Sequence, residues 1–312
     1  MEKPYPIIDV SLYKFSDSEQ LGSKKKFWLV DESGDKLLFK SIMSLDKNNV
    51  INKREGEDWA EKITSELADA LLLPSAKYDL ATYNGERGIV SKNFLIETGN
   101  SENENLSEVL ILGNELIENP ERKYKYQPIS RVHGAMRQII KNKPLKYNSL
   151  KNIKTANDFF TGYLMFDVLV SNQDRHSENW GLIQTSRGTN HLAPSFDHAA
   201  SLGRSESAER RKRILSEVDP RFTMESYVMK SKSYFSRSHL RCTLMEAFLY
   251  FAKKHKTAAI SWGNQLNEIN DTTISNIVTR VPDSIMSDLE KEFTIALITT
   301  NKNRILREIE RL

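Results

Sequence analysis

The first hundred residues alternate between apolar and polar positions in the way typical of short strands. Runs of β-branched and aromatic residues are separated by Gly, Ser, Asn and Asp. The pattern predicts strands at Ile7–Tyr13, Phe27–Asp31, Lys36–Ile42, Lys77–Tyr83 and Arg87–Asn93. The turn residues Glu32–Asp35 and Asn84-Gly85 predict that two pairs of these strands form hairpins.

One helix interrupts these strands. Trp59, Ile63, Leu67, Ala70 and Leu71 recur at helical spacing, and Pro74 ends the pattern. We therefore predict a helix over Asp58–Leu73, with its apolar stripe against the sheet.

After a polar connector at Glu97–Ser107, the pattern becomes mostly helical. An exception is a predicted hairpin around Ser186–Thr189. The pattern predicts helices within Ala156–Val170, Arg237–Lys254, Trp262–Ile269 and Ser284–Leu312. We expect an α+β fold with two lobes, a β-rich N-lobe at 1–97 and a larger α-helical C-lobe at 98–312.

Composition narrows the function classes. The 312 residues carry 45 Lys and Arg against 42 Asp and Glu, so the net charge of +3 gives no reason to expect a nucleic-acid partner. The single cysteine excludes an intrachain disulfide framework and a Cys-based zinc site. Without a signal pattern or a long apolar stretch, we expect a cytoplasmic protein with no membrane partner.

A dense polar run, Ser171–Gly181, follows the most apolar predicted helix and precedes the predicted hairpin. Within it, Asp174 and Asn179 are five residues apart, the spacing at which kinase catalytic loops place a base and a magnesium ligand. A neutral amide oxygen binds Mg²⁺ without adding negative charge beside phosphates. Asp197 follows the hairpin, where phosphoryl-transfer sites place their main metal ligand. Asn179 and Asp197 are therefore candidate Mg²⁺ ligands.

Lys40 is the candidate phosphate-binding residue of the N-lobe. It follows three apolar residues on the third predicted strand, as does the strand lysine of nucleotide-binding kinases. Glu61 on the predicted helix is the expected ion-pair partner, with Glu57 as the competing choice.

These motifs together resemble a known family. The order Asn172-x-Asp174-Arg175-His176-x-x-Asn179, followed by Ala193-Pro194-x-Phe196-Asp197, is similar to the signature of HipA-like serine/threonine kinases, bacterial relatives of the phosphoinositide kinase fold. The resemblance implies a bilobal protein-kinase-like fold that uses ATP and Mg²⁺. It implies that Asp174 is the catalytic base, that Asn179 and Asp197 bind the metal, and that Lys40 binds phosphate. His176 is expected to stabilise either the loop or the transferred phosphate.

The chain departs from the family pattern in two places. It begins almost directly at the first kinase strand, so it resembles compact members that lack an extra N-terminal subdomain. Its phosphate loop has a single glycine, Gly22; the backbone amides after it, with Lys24 to Lys26, are expected to cradle phosphates, unless this is only a solvated basic turn. Compact members often place an autophosphorylated serine at the position of Ser23.

The sequence leaves more than one substrate and partner possible. The resemblance implies a protein substrate and a toxin–antitoxin role with a small DNA-binding antitoxin. The alternatives are a lipid or other small-molecule kinase, a transferase of AMP, and a pseudokinase that binds an antitoxin. The basic run Glu209–Arg213 is either a solvated helix face or a docking site for an acidic substrate.

Overall fold

The N-terminal strands form one seven-stranded sheet. A computed structural model describes residues 3–18, 24–45, 51–95, 107–117, 125–147 and 150–312. The strands of this sheet are β1 (Ile8–Asp9), β2 (Lys14–Ser18), β3 (Lys24–Val30), β4 (Lys36–Leu45), β5 (Ile51–Lys53), β6 (Tyr78–Tyr83) and β7 (Glu86–Lys92). Their order is β1-β6-β7-β4-β3-β2, with β5 also paired to β4.

Helix α1 (Glu57–Ala70) packs against β6, β7 and a C-terminal helix. Trp59, Ile63 and Leu67 lie in the same apolar cluster as the C-terminal helices, whereas the sheet has a smaller core of its own. Helix α1 therefore joins the sheet to the helical part of the chain.

Two small sheets and a set of helices make up the rest. One sheet contains β8 (Glu108–Leu112), β10 (Gly181–Thr185) and β11 (Asn190–Leu192), and the other contains β9 (Gln127–Pro128), β12 (Lys232–Arg237) and β13 (Leu240–Thr243). The helices are α2 (Gly113–Ile117), α3 (Ile129–Ala135, continued by a π-helical segment at Met136–Ile140), α4 (Ala156–Leu169), α5 (Ala208–Ser216), α6 (Met224–Met229), α7 (Leu244–Ala252), α8 (Lys256–Asn267), α9 (Asp271–Thr279) and α10 (Asp288–Glu310).

Most predicted elements are confirmed, including both N-terminal hairpins, the α1 helix and the β10–β11 hairpin. The mixed α+β architecture is confirmed as well. Within the described ranges, no helix has both the length and the apolar composition to cross a bilayer.

Two element predictions are wrong in part. The predicted strand Ile7–Tyr13 is broken, because the Asp9 carboxylate accepts the backbone N–H of Ser11 at 3.0 Å and turns the chain. The predicted helix over Arg237–Lys254 starts only at Leu244. Before it, Ser238 and His239 have φ of 48° and 66°, a two-residue turn that folds the chain into a hairpin.

Candidate active site

The ammonium group of Lys40 on β4 is enclosed by side chains from three other segments. Its Nζ lies 3.6 Å from Glu61 Oε1, 3.8 Å from Asp197 Oδ1 and 3.5 Å from the Tyr78 hydroxyl. Burial by itself would lower the pKa of Lys40. The Asp197 carboxylate, together with Tyr78 and Glu61, has the larger effect, and the net result is a raised pKa. The group is therefore a fixed cation at neutral pH.

Glu61 connects Lys40 to the segment that follows the β10–β11 hairpin. The residue is fully buried on α1, and its Oε2 accepts the backbone N–H of His198 at 2.9 Å. The competing candidate, Glu57, pairs instead with Arg204 at 2.8 Å. The structure thus places Glu61, and not Glu57, against Lys40.

The loop after α4 is held by a buried arginine. The Arg175 guanidinium forms a bidentate pair with Asp167 of α4, and it also donates to the backbone oxygen of Asn179 at 3.1 Å. Burial raises the pKa of the Asp167 carboxyl, and the Arg175 charge opposes this rise. Because Arg175 points inward, the neighbouring side chains of Asp174 and His176 remain 44% and 30% exposed.

The polar side chains of this loop are oriented by its own backbone. The Asn179 Nδ2 donates to the backbone oxygen of Asp174 at 2.7 Å, so its amide oxygen is the atom left for a ligand. The His176 Nδ1 accepts the backbone N–H of Glu178 at 3.2 Å, which assigns the proton of the neutral ring to Nε2. That nitrogen lies 3.9 Å from Asp174 Oδ2.

Asp197 is fixed by contacts with the chain that leaves α1. The backbone N–H of Ser195 donates to Pro74 O at 2.8 Å, and that of Ala76 donates to Ser195 O at 2.9 Å. The N–H of Asp197 itself donates to the Tyr78 hydroxyl at 3.2 Å. Its φ of 56° is left-handed, a conformation that aspartate tolerates better than most residues.

His198 links the loop that contains Asp174 to the segment that contains Asp197. Its Nε2 lies 3.2 Å from an Arg175 nitrogen and 2.7 Å from Ser195 Oγ. Burial and the Arg175 charge lower the pKa of His198 well below its usual range, so the ring is neutral and accepts from Arg175. One buried network therefore ties the Asp174 loop to the Asp197 segment.

A cleft of about 510 Å³ lies between the seven-stranded sheet and the helical part. Its lining includes Lys40, Asp174, His176, Asn179 and Asp197, which the structure thus brings together. Other lining residues on the sheet side are Lys26, Trp28, Lys36 and Tyr78. Lys26 and Lys40 are direct cross-strand partners. Two lysines of the sheet therefore border the cleft side by side.

The predicted phosphate loop is only partly covered by the structure. Gly22 and Ser23 lie outside the described residues, and Lys24 begins the backbone of β3. Sequence reasoning missed Tyr78, His198 and Trp28. The position of Trp28 on the cleft side of the sheet follows from strand alternation. Its neighbours Phe27 and Leu29 are buried in the sheet core, so the side chain between them points to the opposite face.

The donor set of the cleft suits a hard cation that also binds phosphates. The described residues contain no group of three or more His, Cys, Asp or Glu side chains placed to hold a metal. The Asp197 carboxylate and the Asn179 amide offer two oxygens, and Mg²⁺ in nucleotide sites is usually bound by one or two protein oxygens together with substrate phosphates. The residues present therefore fit Mg²⁺ bound with a nucleotide.

Solved structures share this fold at low sequence identity. A Helicobacter pylori proinflammatory kinase, CtkA, is 19% identical with a TM-score of 0.71, and the match covers 98% of this chain and 99% of that one. HipA of Shewanella oneidensis, solved with HipB and operator DNA, is 11% identical with a TM-score of 0.56, over 99% and 70% of the two chains. No curated protein matches the chain. These likenesses show a kinase-like fold.

A family model, the HipA-like C-terminal domain, matches residues 19–284. This range includes the Lys40 strand, α1, the Asp174 loop and the Asp197 segment. Together with the fold, the match supports a kinase function. Since the matched range is most of the sequence, the chain belongs to the family of HipA-like C-terminal domains.

Proposed function

We propose that the protein is an ATP-dependent serine/threonine kinase that transfers the γ-phosphate to a protein hydroxyl. One observation carries the proposal: the buried Lys40–Glu61 pair lies against the partly exposed carboxylate of Asp197. This cluster borders the same cleft as Asp174 and Asn179. A fixed cation, two metal-ligand oxygens and a partly exposed carboxylate are the groups that phosphoryl transfer requires.

Each residue has a distinct task in this reaction. Lys40 donates to phosphate oxygens, and Lys26 adds a second positive charge from the facing strand. Asp197 and Asn179 would hold Mg²⁺, and the ion would supply positive charge next to the transferred phosphate. Asp174 accepts the proton of the attacking hydroxyl as its oxygen bonds to the γ-phosphorus and the bond to the β-phosphate breaks, releasing ADP.

The test compares two amide variants with the native chain. Asp174→Asn removes the base and Asp197→Asn removes a charged metal ligand, and we expect each to lower γ-phosphate transfer by at least about a hundredfold. Transfer is measured with γ-labelled ATP. Label from α-labelled ATP on the acceptor would indicate AMP transfer instead, and label on lipid vesicles but not on proteins would indicate a lipid kinase. Undiminished transfer by a folded Asp174→Asn protein would contradict the proposal.

The proposal includes autophosphorylation of Ser23, which the resemblance suggests. Phosphate on Ser23 would add negative charge beside the predicted phosphate loop and would compete with ATP for it. We expect mass spectrometry after ATP incubation to find Ser23 modified in the native chain and unmodified in Asp174→Asn. An unmodified Ser23 in active native protein would remove this part of the proposal.

A small DNA-binding partner is the last element of the proposal. It is supported by family membership and by the complex of the Shewanella HipA with HipB and operator DNA. Under this proposal the chain acts as the toxin and its activity is restrained by the partner. Copurification with the product of a neighbouring helix-turn-helix gene would support it.

A further inference from the structure

The small sheet of β9, β12 and β13 is attached to the loop that carries Asp174. On one side of Asp174, the Gln173 Oε1 accepts the backbone N–H of Lys232 on β12 at 3.1 Å. On the other side, Gln127 of β9 donates from its Nε2 to the backbone oxygen of Arg175. Because β9 and β12 are paired strands, these two contacts join the loop to one sheet.

A third contact to the loop is made by an aromatic ring of β12. The Tyr234 ring stands edge-on to the His176 ring, with the ring centroids 5.6 Å apart and the planes at 70°. Aromatic pairs prefer this edge-on arrangement over a face-to-face one. None of the described residues that line the cleft belongs to β12, so Tyr234 contacts His176 from outside the cleft.

Tyr234 is itself held by Arg241 on the neighbouring strand β13. The Arg241 Nε donates to the backbone oxygen of Ser233 at 2.7 Å, and its guanidinium lies over the Tyr234 ring, 5.7 Å from the centroid. The same guanidinium lies 4.7 Å from the centroid of Tyr126, whose ring is edge-on to Tyr234. The orientation of the Tyr234 ring is therefore set by the sheet and not by the loop.

A hydrogen bond within the loop holds only one corner of the His176 ring. The His176 Nδ1 accepts the backbone N–H of Glu178, which fixes that nitrogen but leaves the ring able to tilt about it. The Tyr234 ring restricts this tilt, with the His176 Nε2 on the side of Asp174, 3.9 Å from Oδ2. That distance is too long for a hydrogen bond between the two side chains, and it leaves room for a substrate oxygen to accept from Nε2.

We propose that Tyr234 is a positioning residue for His176: it holds the imidazole so that Nε2–H donates to an oxygen of the transferred phosphate while Asp174 takes the proton of the acceptor hydroxyl. The inference rests on the proposed function and gives His176 its task in it. A donor stabilises the transition state only when it is aligned with the charged oxygen beforehand. Loss of the Tyr234 ring should therefore lower kcat and leave the binding of ATP nearly unchanged.

The kinetic test combines Tyr234→Leu with His176→Ala, and transfer is measured with γ-labelled ATP. We expect Tyr234→Leu to lower kcat at least about tenfold and to change the KM for ATP less than about twofold. In the His176→Ala background the same substitution should cause no further loss, because two residues that act as a unit have non-additive effects. Tyr234→Phe keeps the ring and should retain the native kcat. An equal loss with and without His176 would overturn the inference, since Tyr234 would then act through the loop as a whole.

Tyr250→Leu is the matched control. The Tyr250 ring is also half-buried, stands edge-on to a different histidine, His133, with the centroids 6.2 Å apart, and has Arg237 at 5.9 Å. Tyr250 belongs to α7 and does not line the cleft. We expect native kcat in Tyr250→Leu; a loss as large as that of Tyr234→Leu would point to general loosening of the fold and would count against the inference.

A spectroscopic test of the ring contact needs no catalysis. NMR spectra of the full chain with ¹³C-labelled histidine report the ring protons of its six histidines, and the signal that His176→Ala removes belongs to His176. Loss of the neighbouring aromatic ring should shift this signal in Tyr234→Leu, whereas Tyr250→Leu should shift the His133 signal instead. An unshifted His176 signal in folded Tyr234→Leu would overturn the inference. If the shift is seen and the native chain transfers no phosphate, the proposed function fails while the positioning of His176 by Tyr234 stands.

Discussion

At the scale of single residues, Tyr78 has the largest role that the sequence did not indicate. Its hydroxyl lies 3.5 Å from Lys40 Nζ and accepts the backbone N–H of Asp197 at 3.2 Å. Burial raises the pKa of Tyr78, with Glu61 adding to the effect, so the phenol stays protonated. One neutral hydroxyl thus sets the spacing between the cation and the proposed metal ligand.

Tyr78→Phe removes this hydroxyl and leaves the ring. The lost hydrogen bond to the backbone of Asp197 is worth about 0.5–1.5 kcal/mol, so we expect phosphate transfer to fall about two- to tenfold, mainly in kcat. The matched control is Tyr83→Phe, because Tyr83 packs edge-on to Phe27 in the sheet core, away from the cleft. Equal kinetics for the two variants would show that the Tyr78 hydroxyl does not position the site.

At the scale of elements, the sequence predicted what local pattern determines and missed what distant contacts determine. The turn at Asn84-Gly85 was predictable because both residues adopt positive φ, 50° and 77°, which these residue types favour. The turn at Ser238-His239 was not predictable, because a Ser-His pair is not typical of two-residue hairpin turns. Likewise, the choice of Glu61 over Glu57 depends on how α1 packs against the His198 segment, a contact between residues 137 positions apart.

Another element-scale feature is a histidine pair between α3 and the turn that joins α7 to α8. The Nε2 atoms of His133 and His255 are 3.0 Å apart, and His255 Nδ1 lies 3.6 Å from Asp158. Burial, and then the positive charges of His255, Lys254 and Arg137, lower the pKa of His133 to about 4. Burial by itself would raise the pKa of Asp158, but hydrogen bonds with His255 and the backbone have the larger effect and lower it to about 2.

This pair predicts a loss of stability on mild acidification. Between the unfolded pKa of about 6.5 and the folded value of about 4, the unfolded chain binds a proton at His133 that the folded chain does not, so stability falls as pH falls. We expect the Tm to drop between pH 7 and pH 5, and to drop less in His133→Gln. The buried His198, whose pKa is also lowered, decreases stability on acidification in the native chain and in His133→Gln alike. Asp158 changes charge only below this window.

The control for the pH experiment is His239→Asn, in an exposed turn where positive φ suits asparagine. It should show the native pH dependence. A slope in His133→Gln identical to that of the native chain would show that His133 does not contribute.

At the scale of the whole molecule, the cleft lies between two parts that also share a core. Trp59 of α1 and Trp180 before β10 lie in one apolar cluster with the C-terminal helices. The sheet contributes lysines to the cleft, and the helical part contributes Asp174, Asn179 and Asp197. A ligand that contacts both sides therefore stabilises the folded state of the whole chain and not of one part.

The resulting prediction concerns thermal unfolding with a nucleotide that cannot be cleaved. At a hundred times its Kd, such a ligand adds about 2.7 kcal/mol of stability, which raises the Tm of a chain of this size by several degrees. We expect the ATP analogue AMP-PNP to produce this shift with Mg²⁺ and a smaller one in EDTA, because Asp197 and Asn179 would bind the metal together with the phosphates. Asp197→Asn should abolish the difference between Mg²⁺ and EDTA, and His239→Asn should preserve it. A Tm shift that is the same in native and Asp197→Asn protein, with or without Mg²⁺, would place the metal elsewhere.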